Sequence, residues 1–529
     1  MSHTVEIHSC STEKSTMSFP LGALCIKTAL NASGKFAKCP LFMHYTYDDP
    51  EEEALACASR NPQAVGISLY IWNYKWFEIF AETLKKHAPH IMIFAGGPWC
   101  SSYSADIPSY IQFAVTGEGD VTVVKCLEKW FEDGLVSGLI NGELPDLSAL
   151  ESPFLTHQAD GIIAGCDSVL WEMTRGCPFN CAFCFESRGI RKVRNFPMER
   201  IEAELQYLIN RQICNVFVLD PTFNLDKDRA KAVLRLLLQE APSYMHFTFE
   251  IRAELVDNEM AEMFAELNCS LQIGLQSSDS GILSEINRNF DSDVFSKHVK
   301  MLSRTGAAYG FDIIIGLPGD TLEKFRSTVN YAVSLMPSNI DCFVLSILPC
   351  TVLASKAEQY GYKTDGSAQN TVISSPTFSA QDIHDALEIK RAMDLFYTKG
   401  QACMWIHCIL ETLNITACNL FALFSKWFAQ TGRSEDEDIW ILQDDFVSSL
   451  FEKTRNTKLL GALKSFMELH QALCFVTDTG EPVEIDLNYT ADDLSKLDYT
   501  SLSEFVKTIK MRRTHLIVDI DDCGIISLR

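Results

Sequence analysis

The segment that decides the fold is SVLWEMTRGCPFNCAFCFE, residues 168–186. Its first part, SVLWEMT, is an apolar run typical of a buried strand. The loop that follows carries Cys177, Cys181 and Cys184 in the spacing C-x3-C-x2-C. Three thiolates on one tight loop can hold three irons of a four-iron, four-sulfur (4Fe-4S) cluster and leave the fourth iron without a protein ligand. A small molecule can bind such an open iron.

Two other interpretations of these three cysteines are a structural zinc site and buried thiols of the core. A structural zinc site uses four protein ligands, usually in paired C-x2-C form. The sequence has no second pair at that spacing, and the nearest other pair is Cys403 and Cys408, with four residues between them. Buried core thiols are the second alternative. The residues favour the cluster over both.

Strand-like runs continue on the C-terminal side of this loop. They are CNVFVLDPTFN, HFTFEIRAEL, SLQIGLQSSD, YGFDIIIGLPGD and CFVLSILPC, and helical patterns such as DRAKAVLRLLLQEAP separate them. Polar or glycine residues follow each run. With the first strand, this pattern predicts a partial (β/α)6 barrel of the TIM type over residues 168–362.

The N-terminal part also alternates strands and helices, which predicts an α/β, doubly wound, Rossmann-like domain over residues 1–140. Two of its strands end in glycine-rich turns, AGGP and GEGD. Ligands of such sheets bind outside the carboxyl ends of the strands. Residues 141–167 are predicted to be a linker, and residues 363–529 a mostly helical C-terminal domain that shapes a substrate pocket.

Composition excludes several classes of protein. Of the 529 residues 47% are hydrophobic and 22% charged, which is ordinary for a globular protein. The N-terminus lacks the pattern of a secretory signal, no apolar run is long enough to span a bilayer, and the 19 cysteines suit a reducing compartment, so we expect a cytoplasmic protein. The net charge of -24 argues against nucleic-acid binding.

The cysteine loop, with Phe183 just before its last cysteine, resembles that of the radical SAM enzymes. The resemblance implies that S-adenosylmethionine (SAM) chelates the fourth iron and that one electron cleaves it to a 5′-deoxyadenosyl radical. It also implies SAM contacts at the strand ends, although each such residue could instead cap the barrel mouth or form a salt bridge. The implied contacts are Phe183 on the adenine, Asp220 and Thr222 near the amino group, Glu250, Arg252, Gln276 and Ser277 toward the ribose or carboxylate, and the Gly316 backbone on the adenine.

An α/β domain before such a barrel, together with GLQSS and GLPGD, resembles the cobalamin-binding branch of that family. Asp-x-His-x-x-Gly, which places a histidine on cobalt in many cobalamin proteins, is absent here. On the glycines alone, ordinary turns in a domain without a cofactor would explain AGGP and GEGD. The resemblance implies a groove of Gly96, Gly97, Pro98, Gly117, Glu118 and Gly119, and a loop with Ser68, Tyr70, Trp72 and Asn73 over the lower face of cobalt.

The resemblance implies an enzyme, and we expect a methyltransferase that acts on an unactivated carbon of a small metabolite or peptide. Its cofactors would be the 4Fe-4S cluster, SAM and cobalamin. A low-potential donor such as flavodoxin or ferredoxin would supply electrons. Two alternatives stay open: an enzyme with the same cofactors that forms or rearranges rings, and a sensor that binds cobalamin and a cluster without turnover.

Overall fold

The computed structural model describes residues 3–103, 107–186, 191–521 and 526–529. The chain divides into two compact units. Unit 1 comprises Met1–Glu250, Ser346–Gln359 and Thr364–Thr371, and unit 2 comprises Ile251–Leu345, Tyr360–Lys363 and Val372–Arg529. The domain boundaries predicted from the sequence differ from these two units, because they assign each parallel sheet to a domain of its own. They stay a prediction.

Unit 1 begins with a parallel sheet of six strands in the order β2-β1-β3-β4-β5-β6. The order reverses between β1 and β3, so this is the doubly wound sheet that the sequence predicts, and its ligand groove is expected at the carboxyl ends of the strands. The elements are β1 (Val5–Ser11), α1 (Leu21–Ala32), β2 (Leu41–Tyr45), α2 (Pro50–Arg60), β3 (Ala64–Ser68), α3 (Tyr74–His87), β4 (Met92–Gly96), β5 (Phe113–Thr116), α4 (Thr122–Asp133) and β6 (Gly138–Asn141).

Residues after this sheet lead through the short helix α5 (Asp160–Ile163) into a second sheet, in the order β14-β13-β12-β11-β10-β7. Its neighbours follow one another along the chain, which confirms the predicted six-stranded partial barrel. The strands are β7 (Ser168–Trp171), β10 (Asn215–Val218), β11 (His246–Ile251), β12 (Cys269–Gln276), β13 (Ala308–Ile315) and β14 (Asn339–Val344), and a small hairpin, β8 (Thr174–Arg175) and β9 (Arg194–Asn195), flanks the cysteine loop.

Several of the barrel helices begin at a residue whose side chain caps the first turn. Asp226, Asp257 and Thr321 each accept a hydrogen bond from a backbone N–H in the first turn of the helix that follows. Such caps fix where each strand-to-helix loop ends. The helices are α6 (Met198–Asn210), α7 (Lys227–Glu240), α8 (Asn258–Glu266), α9 (Ser280–Glu285), α10 (Ser292–Thr305), α11 (Leu322–Ser334) and α12 (Val352–Lys356).

The C-terminal part is mostly helical, as predicted, and it also contains strands. β15 (Lys363–Thr364) pairs with β16 (Val372–Ser374), and β17 (Val483–Leu487), β18 (Thr514–Ile520) and β19 (Ile526–Leu528) form an antiparallel sheet. The helices are α13 (Ala380–Met393), continued by the π-helical Asp394–Lys399, α14 (Ile406–Leu413), α15 (Ala417–Thr431), α16 (Ile439–Lys453), α17 (Thr457–Thr479), α18 (Ala491–Leu494) and α19 (Leu502–Thr508).

Among the described residues, no one helix has both the length and the apolar character needed to cross a membrane. Helices α14 and α15 meet that requirement only as a pair, and they are bent by 97° relative to each other.

Candidate functional site

The cysteine loop of unit 1 lies directly after the first barrel strand, where the sequence places it. Cys177 and Cys181 are each 8% exposed, and Cys184 is half-buried. Two backbone bonds shape the loop: the Cys184 N–H donates to the Cys181 carbonyl, and the Leu353 N–H donates to the Ala182 carbonyl. The loop therefore holds its three sulfurs on a locally defined backbone.

A cavity of about 230 Å³ adjoins this loop. Cys177, Asp220 and Thr222 all contribute to its wall, so unit 1 brings one predicted cluster ligand together with two predicted SAM contacts. Arg229 on α7 also lines the cavity and was missed from the sequence. Its guanidinium donates to the Phe196 carbonyl at 2.9 Å. No pattern in the sequence signals that contact, because it joins residues 33 positions apart.

Asp220 anchors the chain that enters the cysteine loop. Its side chain is 2% exposed, and its Oδ1 accepts hydrogen bonds from the backbone N–H groups of Met173 and Thr174, both at 2.9 Å. Burial, as the largest cause, raises the pKa of Asp220 to about 6. Asp220 thus holds the backbone of Met173 and Thr174 in place. Its predicted contact with the amino group of SAM stays a prediction.

The neighbours of Asp220 are arranged by local hydrogen bonds. The Thr222 hydroxyl donates to the Pro221 carbonyl at 2.7 Å, and the Phe223 N–H donates to the Glu250 carbonyl at 2.9 Å. The Glu250 side chain is exposed, and Phe183 is half-buried. Thr222 lies on the cavity wall, and its predicted contact near the amino group of SAM stays a prediction.

Gln276 in unit 2 has an unusual environment. It lies at a β-bulge after Gly274, its φ is 66°, and it is 8% exposed. Within the described residues, its buried Oε1 has no hydrogen-bond partner. An unsatisfied buried acceptor costs free energy unless a ligand or water donates to it. The Gln276 Oε1 is therefore suited to accept a hydrogen bond from a ligand.

The other predicted contacts in unit 2 are already engaged within the protein. The Ser277 hydroxyl accepts from the Asp279 N–H, and Arg252 pairs with Glu254 at 3.1 Å. The Gly316 N–H donates to Asp320, and the Gly316 carbonyl accepts from the Tyr362 hydroxyl at 3.0 Å. The Gly316 N–H is therefore occupied, and only the second lone pair of the Gly316 carbonyl oxygen is left for a ligand. The predicted contact with adenine could be made only by that oxygen.

Three charged residues of unit 2 were not singled out from the sequence. Asp312 and Asp341 lie side by side in the register of β13 and β14. Arg288 donates to the carbonyl of Gly274, which is opposite Asp312 in the register of β12 and β13. Burial, and then the charge of Asp341, raises the pKa of Asp312 to about 7. Strand alternation could have indicated that these carboxylates share a face, but the sequence does not show the pairing of the strands.

Asp312 makes stability dependent on pH. Its folded pKa of about 7 lies above its usual 3.8, so its contribution is complete below pH 3.8 and is lost as the pH rises through 7. We expect the wild-type protein to lose roughly 2 kcal/mol of stability between about pH 5 and 8 through this group. Urea unfolding at both pH values should show a smaller loss in Asp312→Asn. An equal loss in both proteins would contradict the assignment.

The glycines of the N-terminal sheet form an open cradle at the ends of β4 and β5. An added Cβ at Gly96 or Gly117 would meet no protein atom within 4 Å. Gly97 is different, because its φ is 102° and a Cβ there would lie 2.5 Å from the Leu69 carbonyl oxygen. Glycine at 97 is thus required by the close approach to Leu69, and the φ of 75° at Gly117 favours glycine there as well. The space beside Gly96 and Gly117 is open and leaves room for a bulky ligand such as a corrinoid.

The loop after β3 combines a buried clamp with two stacked aromatic rings, of which Trp72 is exposed and Tyr70 is half-buried. Asn73 is 0% exposed, its amide nitrogen donates to the carbonyls of Cys10 and Ser68, and its Oδ1 accepts from the Tyr70 N–H. Trp72 is 45% exposed and stacks on Tyr70 with ring centroids 4.5 Å apart. Asn73 therefore shapes the loop, and Tyr70 and Trp72 are the side chains that could cover a ligand.

The carboxylate of Glu118 forms ion pairs with Arg175 and Arg194. Because the Glu118 carboxylate is already paired, a contact between Glu118 and cobalamin would have to come from the Glu118 backbone.

Comparison with known proteins gives a family match that includes the cysteine loop. Residues 171–332 match the Radical SAM superfamily. That stretch begins in β7, includes the cysteine loop and ends in α11.

Two curated relatives are methyltransferases by name. The chain is 25% identical over 389 residues to the cobalamin-dependent radical SAM methyltransferase TokK of Streptomyces tokunonensis, which covers 65% of this chain and 56% of that protein. It is 24% identical over 352 residues to the 2-(S-pantetheinyl)-carbapenam-3-carboxylate methyltransferase of Streptantibioticus cattleyicolor, covering 59% and 50%. The chain thus spans about half the length of these relatives.

A solved structure shares the fold over nearly the whole chain. It is the cobalamin-dependent S-adenosylmethionine radical enzyme OxsB, with a TM-score of 0.59 and 13% identity over 96% of this chain and 83% of that one. Residues 171–332 therefore resemble the radical SAM superfamily, and the chain shares its overall fold with that solved structure.

Proposed function

We propose that the protein is a cobalamin-dependent radical SAM methyltransferase that methylates an unactivated carbon of a small metabolite or peptide. The observation that carries the proposal is the three-cysteine loop at the carboxyl end of the first barrel strand, in the same unit as an open glycine cradle. The names of the two curated relatives support methyl transfer.

The donor set fits an iron–sulfur cluster. Cys177, Cys181 and Cys184 offer three soft thiolates on one short loop, which suits an iron cluster with one open iron. The cofactors, when bound, supply reductive cleavage of SAM and delivery of a methyl group to a carbon radical. The protein's own task is to bind, orient and exclude water.

Named side chains account for that task. Asp220 holds the backbone before Cys177 in place through its two hydrogen bonds. The Gln276 Oε1 can accept a hydrogen bond from a hydroxyl or ammonium group of SAM, because no described residue donates to it. Tyr70 and Trp72 present aromatic surface for the corrinoid, and Gly96 and Gly117 let it approach the backbone.

The substrate and partners follow from charge and chemistry. A chain with a net charge of -24 repels phosphate backbones, which favours a small molecule or peptide over a nucleic acid. Reducing the cluster requires a low-potential donor such as flavodoxin or ferredoxin, and both thiolates and cluster require reducing surroundings such as the cytoplasm.

Anaerobic purification with cobalamin, followed by metal analysis and mass spectrometry of SAM products, tests the proposal. We expect about four irons and about one corrinoid per chain. With substrate, S-adenosylhomocysteine should form together with 5′-deoxyadenosine. Formation of 5′-deoxyadenosine alone would point to the ring-forming alternative. Absence of SAM cleavage in fully loaded, reduced protein would favour a sensor.

Gly96→Ala tests the corrinoid groove separately. The added methyl group meets no protein atom within 4 Å, so thermal unfolding should not change. A corrinoid seated there would have to shift at a cost of about 1–3 kcal/mol, which weakens binding roughly tenfold or more. Absorbance titration with cobalamin measures this.

Gly161→Ala is the matched control, because its added methyl group also meets nothing within 4 Å but lies in α5. Equal corrinoid affinity in Gly96→Ala, Gly161→Ala and the parent protein would place the corrinoid elsewhere.

A further inference from the structure

One guanidinium joins the two candidate cofactor loops of unit 1. Arg175 lies two residues before Cys177, and its Nε donates to Glu172 at 3.0 Å. Its Nη1 donates to Glu118 at 2.9 Å and to Asp120 at 2.8 Å, and its Nη2 donates to Asp120 at 3.3 Å. Glu118 and Asp120 belong to the GEGD turn after β5, which is one side of the glycine cradle.

A second guanidinium reinforces this connection. Arg194 is paired with Arg175 in the β8–β9 hairpin, and it binds the other carboxylate oxygen of Glu118. Its Nη1 also donates to the Pro145 carbonyl at 3.0 Å. Both strands of the hairpin that flanks the cysteine loop therefore hold the same carboxylate of the GEGD turn.

These charges are largely removed from water. The side chains of Arg175, Asp120 and Glu118 are 11%, 9% and 15% exposed. Exposed ion pairs contribute little, but removing one partner of a buried pair leaves an uncompensated charge and is strongly destabilising. Every nitrogen of the Arg175 guanidinium has a carboxylate partner, so the group is held in one orientation.

We propose that Arg175 is a positioning residue that fixes the separation between the corrinoid groove and the cluster loop. The inference rests on the proposed function, because this separation matters for chemistry only when both cofactors bind. Transfer between two cofactors and a substrate depends on placement within a fraction of an ångström, so a loosened tie uncouples SAM cleavage from methyl transfer.

Hydrogen–deuterium exchange of the full chain, before cofactors are loaded, tests the tie itself. In Arg175→Met we expect amides in both residues 113–121 and residues 172–180 to exchange at least about tenfold faster. Asp120→Asn should change both segments in the same direction by a smaller factor, and it decides the matter should Arg175→Met not fold.

Arg60→Met is the matched control. Arg60, at the end of α2, forms a partly buried ion pair with Glu6 near the start of β1. This pair also belongs to the N-terminal α/β domain but is not part of the GEGD turn or the cysteine loop. This variant should leave exchange in both segments as in the parent. Parent-like exchange in both segments of folded Arg175→Met and of Asp120→Asn would overturn the proposal.

The loaded protein supplies the functional readout. We expect Arg175→Met to keep its iron and corrinoid contents but to show a weaker magnetic interaction between the reduced cluster and the cobalt by electron paramagnetic resonance. S-adenosylhomocysteine formed per 5′-deoxyadenosine should fall severalfold. An unchanged magnetic interaction and product ratio would overturn the proposal. A parent protein that takes up no corrinoid would refute the proposed function, while the exchange results would still report on the tie.

Discussion

Cys181→Ala is expected to abolish 5′-deoxyadenosine formation and to lower iron from about four atoms per chain to a small fraction of one. Cys181 is the middle cysteine of the loop and a proposed cluster ligand, and the two cysteines that remain in the variant are too few to hold such a cluster. The measurements are iron and sulfide analysis of anaerobically reconstituted protein and mass spectrometry of SAM products after reduction.

Cys214→Ala is the matched control for that loss. Cys214 is another half-buried thiol of unit 1, just before β10, and it donates to the Gln212 carbonyl rather than lying on the cysteine loop. We expect this variant to load iron and cleave SAM like the parent. Full cluster and parent-like cleavage in Cys181→Ala would refute the cluster assignment, and with it the proposed function.

Asp220→Ala is expected to have the second largest effect. The change leaves two N–H groups, the buried one of Met173 and the partly buried one of Thr174, without their acceptor. At about 1–3 kcal/mol for the buried group and less for the partly buried one, the strand end before Cys177 should lose about 2–4 kcal/mol of stability. Urea unfolding should show that loss, and the reconstituted protein should hold less iron than the parent.

Asp220→Asn separates positioning from ligand binding. Its amide oxygen can still accept from both N–H groups, so we expect iron content close to that of the parent. A direct contact between Asp220 and the amino group of SAM would instead give normal iron but weak SAM binding in both variants. Isothermal titration with SAM under anaerobic conditions distinguishes these outcomes.

The predicted cluster site depends on short-range information, which explains why it can be predicted from the sequence. Cys177, Cys181 and Cys184 lie within eight positions on one loop, so their spacing alone places three sulfurs together. The positions of the AGGP and GEGD turns can also be predicted from the sequence, because each turn directly follows an apolar run and therefore lies at the end of a strand. The succession of strands and helices likewise predicts both sheets, since consecutive parallel strands joined by helices are neighbours.

Roles of single polar side chains depended on contacts that the sequence does not contain. Asp220 reads as a SAM contact from its position after a strand, yet its Oδ1 accepts from an N–H 46 positions earlier. Ser277 and Gly316 likewise proved to hold their own loops together.

The sequence by itself determined that this protein has a three-cysteine loop on a partial barrel after a doubly wound domain, because those features follow from local spacing and periodicity. Only the tertiary structure decided which polar groups are left for ligands and which bind the protein. Arg175 and Glu118 meet across 57 positions, and the buried Gln276 Oε1, on a residue at a β-bulge with a φ of 66°, has no described hydrogen-bond partner. Both depend on strand pairing between distant segments, which sets burial and hydrogen bonding after the local elements have formed.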